Sequence, residues 1–373
     1  MSEKLPKKVN IIAWEPRYTL TAFIARQLMD IEAAKAVVEH TPLSPVAAAE
    51  LRHKARVRSS HYSTQIEGNR LTLGEAKKVI ENKPVRFHGR ERDVSEVRNY
   101  WTALLRIEEW AVKEMELTEI MINRLHSIVM KGPHSKPSDY RDGQNVIRDS
   151  ASGAMVYLPP QAHDVSGLMK AMVAWARKAE RENLPVPLIA ALVHYQFVTI
   201  HPYYDGNGRT ARLLATFILH RGGYGLNGFF SLEEHHARDL ETYYRLLATH
   251  PHHNYYEGRA DADLTAWLTY FSKILAEVFA AAEKETKKYQ KKKGLVEPAG
   301  LRKLDPRARV VLGLFAKQEI VTTNQVAKVL CLSERSARLL LNAWVSEALL
   351  VVANPSNRKR AYKLSVKYRQ YFG

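Results

Sequence analysis

An apolar run, PLIAALVHYQFVTI (187–200), halts at His201-Pro202, passes through Asp205-Gly206-Asn207-Gly208, and resumes as RTARLLATFILHR (209–221). This interruption constrains the fold more than any other stretch, because two core helices must meet at a glycine-rich turn. A turn of that kind opening onto a helix leaves backbone N–H groups bare, and the helix dipole favours negative charge there. Gly206, Asn207 and Gly208 therefore fit an anion cradle. Asp205 offers an oxygen to Mg²⁺, which prefers carboxylate and phosphate ligands. Arg209 and Arg212, three apart on one helix, can point to one face and grip phosphate oxygens. His201 lies close enough to serve as a general base. The alternative is a plain loop between two core helices.

At 373 residues and 46% hydrophobic, the chain predicts two or three domains. Lys plus Arg exceed Asp plus Glu by 56 − 39 = 17, which points to acidic partners such as nucleic acid, nucleotides or an anionic surface. A single cysteine, Cys331, excludes an internal disulfide and a zinc-thiolate cluster, and predicts a cytoplasmic protein. Neither a signal-peptide pattern nor an apolar run of about eighteen residues is visible, so secretion and membrane insertion are not expected.

Helical periodicity dominates as far as about residue 283. The helical stretches include RYTLTAFIARQLMDIEAAKAVVEH, SPVAAAELRHKARVRSSHYSTQIEG, DVSEVRNYWTALLRIEEWAVK and LEEHHARDLETYYRLLATH. One region, YRDGQNVIRDSASGAMVYLPP, reads as a hairpin with strands at 145–147 and 155–158. A lysine run with Gly294, Pro298 and Gly300 predicts a linker or frayed helix end at 284–302. Three short helices and two strands around NPSNRKR then make a winged helix-turn-helix. The expected division is a helical region over 1–95, a catalytic core over 96–283, a basic linker over 284–302 and a winged-helix domain over 303–373. The fold class is mainly α. The cluster His250 to His253 reads as a surface loop, because no carboxylate stands at ligand spacing.

Taken whole, HPYYDGNGRTAR resembles the Fic family signature HxFx(D/E)GNGRxxR, with Tyr203 where phenylalanine is usual. The resemblance covers about residues 60–280. It implies a helical Fic core with a β-hairpin flap and a protein adenylyltransferase that moves AMP from ATP to a Ser, Thr or Tyr hydroxyl of a target protein or of itself. Carried over, His201 is the base, Asp205 the Mg²⁺ ligand, Gly206 to Gly208 the anion hole, and Arg209 the holder of the distal phosphates. Thr210, Ala211 and Arg212 complete the phosphate-binding stretch. Gln144, Asn145, Val146 and Ile147 match the flap strand that aligns a target segment. Tyr243 and Tyr244 match aromatic positions lining the nucleotide pocket, with helix packing as the competing explanation.

Upstream, Ser63-x-x-x-Glu67-Gly68 places Ser63 and Glu67 on one helix face and a glycine where a helix ends. It resembles the family's inhibitory motif (S/T)xxxE(G/N). The resemblance implies an inhibitory helix over about 46–68 whose glutamate pairs with Arg212 and displaces the γ-phosphate. Removal of AMP by Glu67 acting on a water is the rival reading at this site. A DNA-binding regulator with a nucleotide-sensing body is the rival from another class, with Arg335, Arg338, Arg358, Lys359 and Arg360 positioned for phosphate contacts. The expected partners are ATP, a target protein, DNA through the winged helix, and a second copy of the chain, with no membrane.

Overall fold

A computed structural model describes residues 13–83, 88–148, 153–248, 253–291, 304–315, 318–330, 332–356 and 360–369. The chain divides into two compact units: Met1–Lys35, Ala55–Leu226 and Phe230–Ala281 form one, and Ala36–Lys54, Asn227–Phe229 and Ala282–Gly373 the other. The elements up to the lysine run are α1 (Ala22–His40), α2 (Pro45–Ile66), α3 (Leu73–Ile80), α4 (Glu91–Val112), α5 (Glu119–Lys131), β1 (Ile147–Arg148), β2 (Met155–Tyr157), α6 (Ala162–Arg181), α7 (Val186–Ile200), α8 (Asn207–Arg221), α9 (Leu232–Arg238), α10 (Leu240–Leu247) and α11 (Thr265–Lys291). The unit boundaries fall within α1, α2 and α11.

The first unit is built around α7 and α8, which are buried almost all round and pack on each other. Such helices belong at the centre of a larger fold. Pro185 caps α7 and Pro187 sits in its first turn, where a missing N–H costs nothing. Tyr100, Ala103, Leu104 and Ile107 of α4 are buried, and α4 packs on α8 as α6 does on α7. Trp267 of α11, fully buried, donates its indole N–H to the Ala191 carbonyl at 2.8 Å. Burying each large apolar side chain of this kind contributes about 1.5–3 kcal/mol.

Several expected elements differ in extent. The stretch LEEHHARDLETYYRLLATH forms two helices, because Asp239 leaves helical geometry (φ −136°) and its side chain accepts the Thr242 N–H at 3.1 Å, capping α10. The hairpin ladder starts at Ile147 rather than Asn145. Asn145 accepts its neighbour's N–H (Val146, 2.9 Å) and Gln144 donates to the Pro159 carbonyl (2.9 Å), so side chains replace the ladder there. Leu158 leaves β2 to bridge to Asn254, its N–H donating to the His253 carbonyl at 2.7 Å. Helix α11 runs through the start of the expected linker to Lys291. Tyr289 is buried there and donates to Glu50 at 2.7 Å; residues 292–302 lie outside the described residues. So do His250 and His252, while His253 hydrogen-bonds the Val156 carbonyl at 2.7 Å.

In the second unit, α12 (Pro306–Phe315), β3 (Val321–Thr322), α13 (Thr323–Val329), α14 (Glu334–Ser346), β4 (Leu350–Asn354), β5 (Ala361–Leu364) and α15 (Val366–Arg369) follow one another. Thr322 and Gln325 form a capping box on α13, and Ser333 caps α14. The sheet order is β3-β5-β4, antiparallel throughout. Strand β3 is an addition to the two expected strands. Leu312, Val326, Leu341, Trp344 and Tyr362 close the core. Arg335 is exposed and Arg338 partly buried; Arg360 lies 6.0 Å from the Tyr362 ring centre. Cys331, Arg358 and Lys359 lie outside the described residues.

Candidate functional site

The turn between α7 and α8 is fixed atom by atom. His201 ends α7 in left-handed geometry (φ 52°, ψ 59°), its N–H still donating to the Phe197 carbonyl at 3.0 Å, and Pro202 prevents continuation. For a residue with a side chain this conformation costs on the order of 1–3 kcal/mol and marks a position the surroundings impose. The Asn207 amide clamps the loop, accepting the Tyr203 N–H at 3.0 Å and donating to the Tyr203 carbonyl at 2.7 Å. Gly206 has φ 78°, and a Cβ there would lie 2.5 Å from the Met130 sulfur. Only glycine satisfies both constraints. The first intrahelical bond of α8 is Thr210 N–H to the Gly206 carbonyl, so the N–H groups before it have no helical acceptor.

The His201 imidazole is partly buried, with Nδ1 3.3 Å from the Val198 carbonyl. A carbonyl can only accept, so Nδ1 carries the proton and Nε2 keeps the lone pair. Burial pushes this imidazole down to about 4, opposed by the Val198 carbonyl and the charges of Glu67 and Asp205. It is therefore neutral at physiological pH.

The two arginines of α8, expected to share one face, take different partners. Arg209 is buried between Asp205 (3.1 Å) and Glu96 (3.5 Å). Arg212, equally buried, donates Nε to the Ser63 hydroxyl at 2.8 Å, and Nη2 to the Ser63 carbonyl at 2.9 Å and to Glu67 Oε1 at 2.8 Å. Burial opposes its charge, but Glu67, Tyr243 and Tyr100 together raise its pKa. The Asp205 carboxylate is half-exposed and accepts the Gly206 N–H at 2.5 Å. Thr210 and Ala211 are fully buried, so their side chains pack in the core of the unit. Tyr243 is buried behind Arg212, 3.5 Å from it and 3.0 Å from His194. Tyr244 is 46% exposed and its hydroxyl donates to the Ile66 carbonyl at 3.3 Å.

Helix α2 ends in a Schellman turn: Gly68 has φ 88°, its N–H donates to the Gln65 carbonyl, and the Asn69 N–H to the Thr64 carbonyl. This termination aims Glu67 at α8. A Cβ built on Gly208 would lie 2.4 Å from Glu67 Oε1. The carboxylate thus lies directly over the glycine of the cradle.

Four residues at the site escaped sequence reasoning. Arg141 is buried and gives its guanidinium to backbone carbonyls, including that of His201 at 3.0 Å. His126 stacks on Tyr203 with centroids 3.6 Å apart, its Nε2 2.8 Å from the Asp205 carbonyl. Asn123 accepts the Tyr203 hydroxyl at 2.6 Å, which accommodates the oxygen that phenylalanine would lack. Glu96 accepts from Asn69 (3.0 Å) besides facing Arg209. His126 and Asn123 lie in a helix whose apolar pattern hides them, and in YRDG the arginine looks like the edge of a hairpin.

Among the described residues no cluster of three or more His, Cys, Asp or Glu could hold a metal ion, and no helix is long and apolar enough to cross a membrane. Residues 116–219 match the Fic/DOC family. Similar curated proteins include the protein adenylyltransferase Fic of Drosophila willistoni, 29% identical over 203 residues, covering 53% of this chain and 39% of that protein. That of Drosophila erecta matches to the same extent. The chain thus spans about two-fifths of the length of these relatives. Among solved structures, a Fic domain containing signaling protein from Bacteroides thetaiotaomicron is 25% identical with a TM-score of 0.60, over 72% of this chain and 97% of that one. A Fic family protein from Desulfovibrio desulfuricans shares the fold over 95% of this chain and 99% of its own, at 24% identity and a TM-score of 0.58. The helical body with its motif turn shares the fold of these Fic structures, and residues 116–219 are what is similar to the Fic/DOC family.

Proposed function

We propose that this protein is an adenylyltransferase that moves AMP from ATP to a hydroxyl of a target protein and of itself, and that Glu67 holds it inactive. The names of the curated relatives support the chemistry. The observation that carries the inhibition is the Glu67 carboxylate, hydrogen-bonded to Arg212 at 2.8 Å and lying over Gly208. A carboxylate there competes with a phosphate for the same cation and the same bare backbone.

In the active arrangement the neutral His201 accepts the proton of the incoming hydroxyl at Nε2. The oxygen attacks the α-phosphorus, the P–O bond to the β-phosphate breaks, and pyrophosphate leaves. The N–H groups before Thr210 and the charge of Arg209 stabilise the phosphate oxygens. Asp205, half-exposed at the helix start, fits Mg²⁺, which takes one or two carboxylates and completes its shell with phosphate and water. When bound, the ion would neutralise phosphate charge. The strand at Ile147 would receive an extended target segment along its edge.

Breaking a buried ion pair from one side costs about 3–5 kcal/mol, so ATP binds productively only if its γ-phosphate compensates Arg212. Glu67→Gly is expected to raise self-modification with labelled ATP by at least about tenfold, the equivalent of about 1.4 kcal/mol. An unchanged or lower signal refutes the brake. The carboxy-terminal helices and three-stranded sheet we read as a winged helix-turn-helix, with the exposed Arg335 side of α14 meeting nucleic acid; the basic balance of the chain supports this.

A further inference from the structure

The β-hairpin cannot hold its own position. Among the described residues its ladder comprises two residue pairs, Ile147 with Tyr157 and Arg148 with Met155, and the register shifts between them. An isolated two-stranded ladder is marginal even when longer. Yet a strand that aligns a target segment, and with it a hydroxyl, beside His201 must stand at a fixed distance from that imidazole.

We infer that Arg141, assisted by Tyr204, is a positioning residue that fastens the root of the hairpin to the His201 turn. Arg141 is 3% exposed. Its Nε donates to the His201 carbonyl at 3.0 Å, Nη1 to the Gly143 carbonyl at 2.9 Å, and Nη2 to the Pro160 carbonyl. Its backbone N–H donates to the Pro202 carbonyl at 2.9 Å. One planar fork therefore ties the chain entering the first strand, the chain leaving the second, and the turn that carries His201. All three acceptors of the side chain are neutral carbonyls. A lysine ammonium, with a compact head and no fork, cannot reproduce the set.

Tyr204 adds a second fastening from within the motif. Its hydroxyl donates to Asp142 at 2.7 Å and accepts the Gly143 N–H at 2.8 Å. A Cβ on Gly143 would lie 2.8 Å from that hydroxyl oxygen, so the glycine is what allows the approach. Tyr157 anchors the far strand independently, donating to the Thr199 carbonyl at 2.8 Å. The strand next to the incoming chain is thus held at its root mainly by Arg141 and Tyr204, with the Asn145 amide adding a longer bond to the Tyr203 carbonyl at 3.4 Å.

This inference rests on the reading of His201 as base and of the hairpin as the acceptor platform. Its test uses the full-length Glu67→Gly protein as parent, with Arg141→Lys and, as the milder change, Tyr204→Phe. Amide hydrogen exchange is measured at 143–148, with α7 and α8 as the control for folding. Both variants should exchange faster at 143–148 and unchanged in the two helices. In self-modification, Arg141→Lys should lose about tenfold or more in kcat while half-saturating ATP moves by less than about twofold, the signature of a misplaced acceptor rather than weakened nucleotide binding. Unaltered exchange at 143–148 in both variants overturns the inference, as does a loss confined to the KM for ATP. Should the parent itself transfer no AMP, the adenylyltransferase reading fails, and the exchange result alone decides whether the fastening exists.

Discussion

At the scale of single residues, the site turns on where protons and charges are held. His201 donates from Nδ1 to a carbonyl, and burial keeps its pKa near about 4. A base with that value stays deprotonated from alkaline pH down through 6.5, the ordinary histidine value, and is lost only as the pH falls toward its own pKa. Transfer by the Glu67→Gly protein should accordingly be flat between about pH 8 and pH 6 and decline below about pH 5. Removing Glu67 also removes a charge that raises this pKa, so the decline should not move upward. A rate halving near 6.5 removes burial as the controlling influence. The residues on the motif were legible because glycine, asparagine and arginine at those spacings have few other uses. Arg141 was not, since a lone buried arginine served by carbonyls leaves no pairing pattern in sequence.

Among the elements, legibility followed periodicity and caps. Helices α7 and α8 could be read directly from apolar runs interrupted by proline and glycine. Asp239 was hidden because an acidic residue inside a helical pattern looks like a solvated face until its side chain is seen capping the next turn. Helix α3 carries a Thr72–Glu75 capping box that would have announced it. The hairpin strands are too short for alternation to fix their ends. Helix α14 exposes Arg335, Ser336, Leu339 and Asn342 on one side, the surface that the nucleic-acid reading needs. Arg335→Gln should weaken binding to duplex DNA and reduce the salt slope by about one. An unchanged affinity and slope would exclude α14 as the contacting helix.

For the whole molecule, the cost of enclosing so many titratable groups appears on acidification. His194 is held down to about 3 and His236 well below its usual value, in both cases mainly by burial. Both are neutral in the folded protein and free to protonate when unfolded. The unfolded state therefore binds more protons below about pH 6.5, and stability must fall as the pH drops toward the folded values. The Tm measured from pH 7.5 to pH 4.5 should decline, and His194→Gln should flatten that decline; about equal slopes for the two proteins would show that His194 protonates in place.

Gly208 has a consequence for how such a chain can change. If the proposed function holds, the bare α-carbon that leaves room for a nucleotide's phosphate is the same one that Glu67 leans over, so fuel and brake share a single vacancy. A side chain at 208 must first displace the Glu67 carboxylate, whose oxygen would lie 2.4 Å from the new Cβ. On this reading, inherited variation can loosen the brake through position 67 or crowd it through position 208, where the same added atom also takes up room that a phosphate would need.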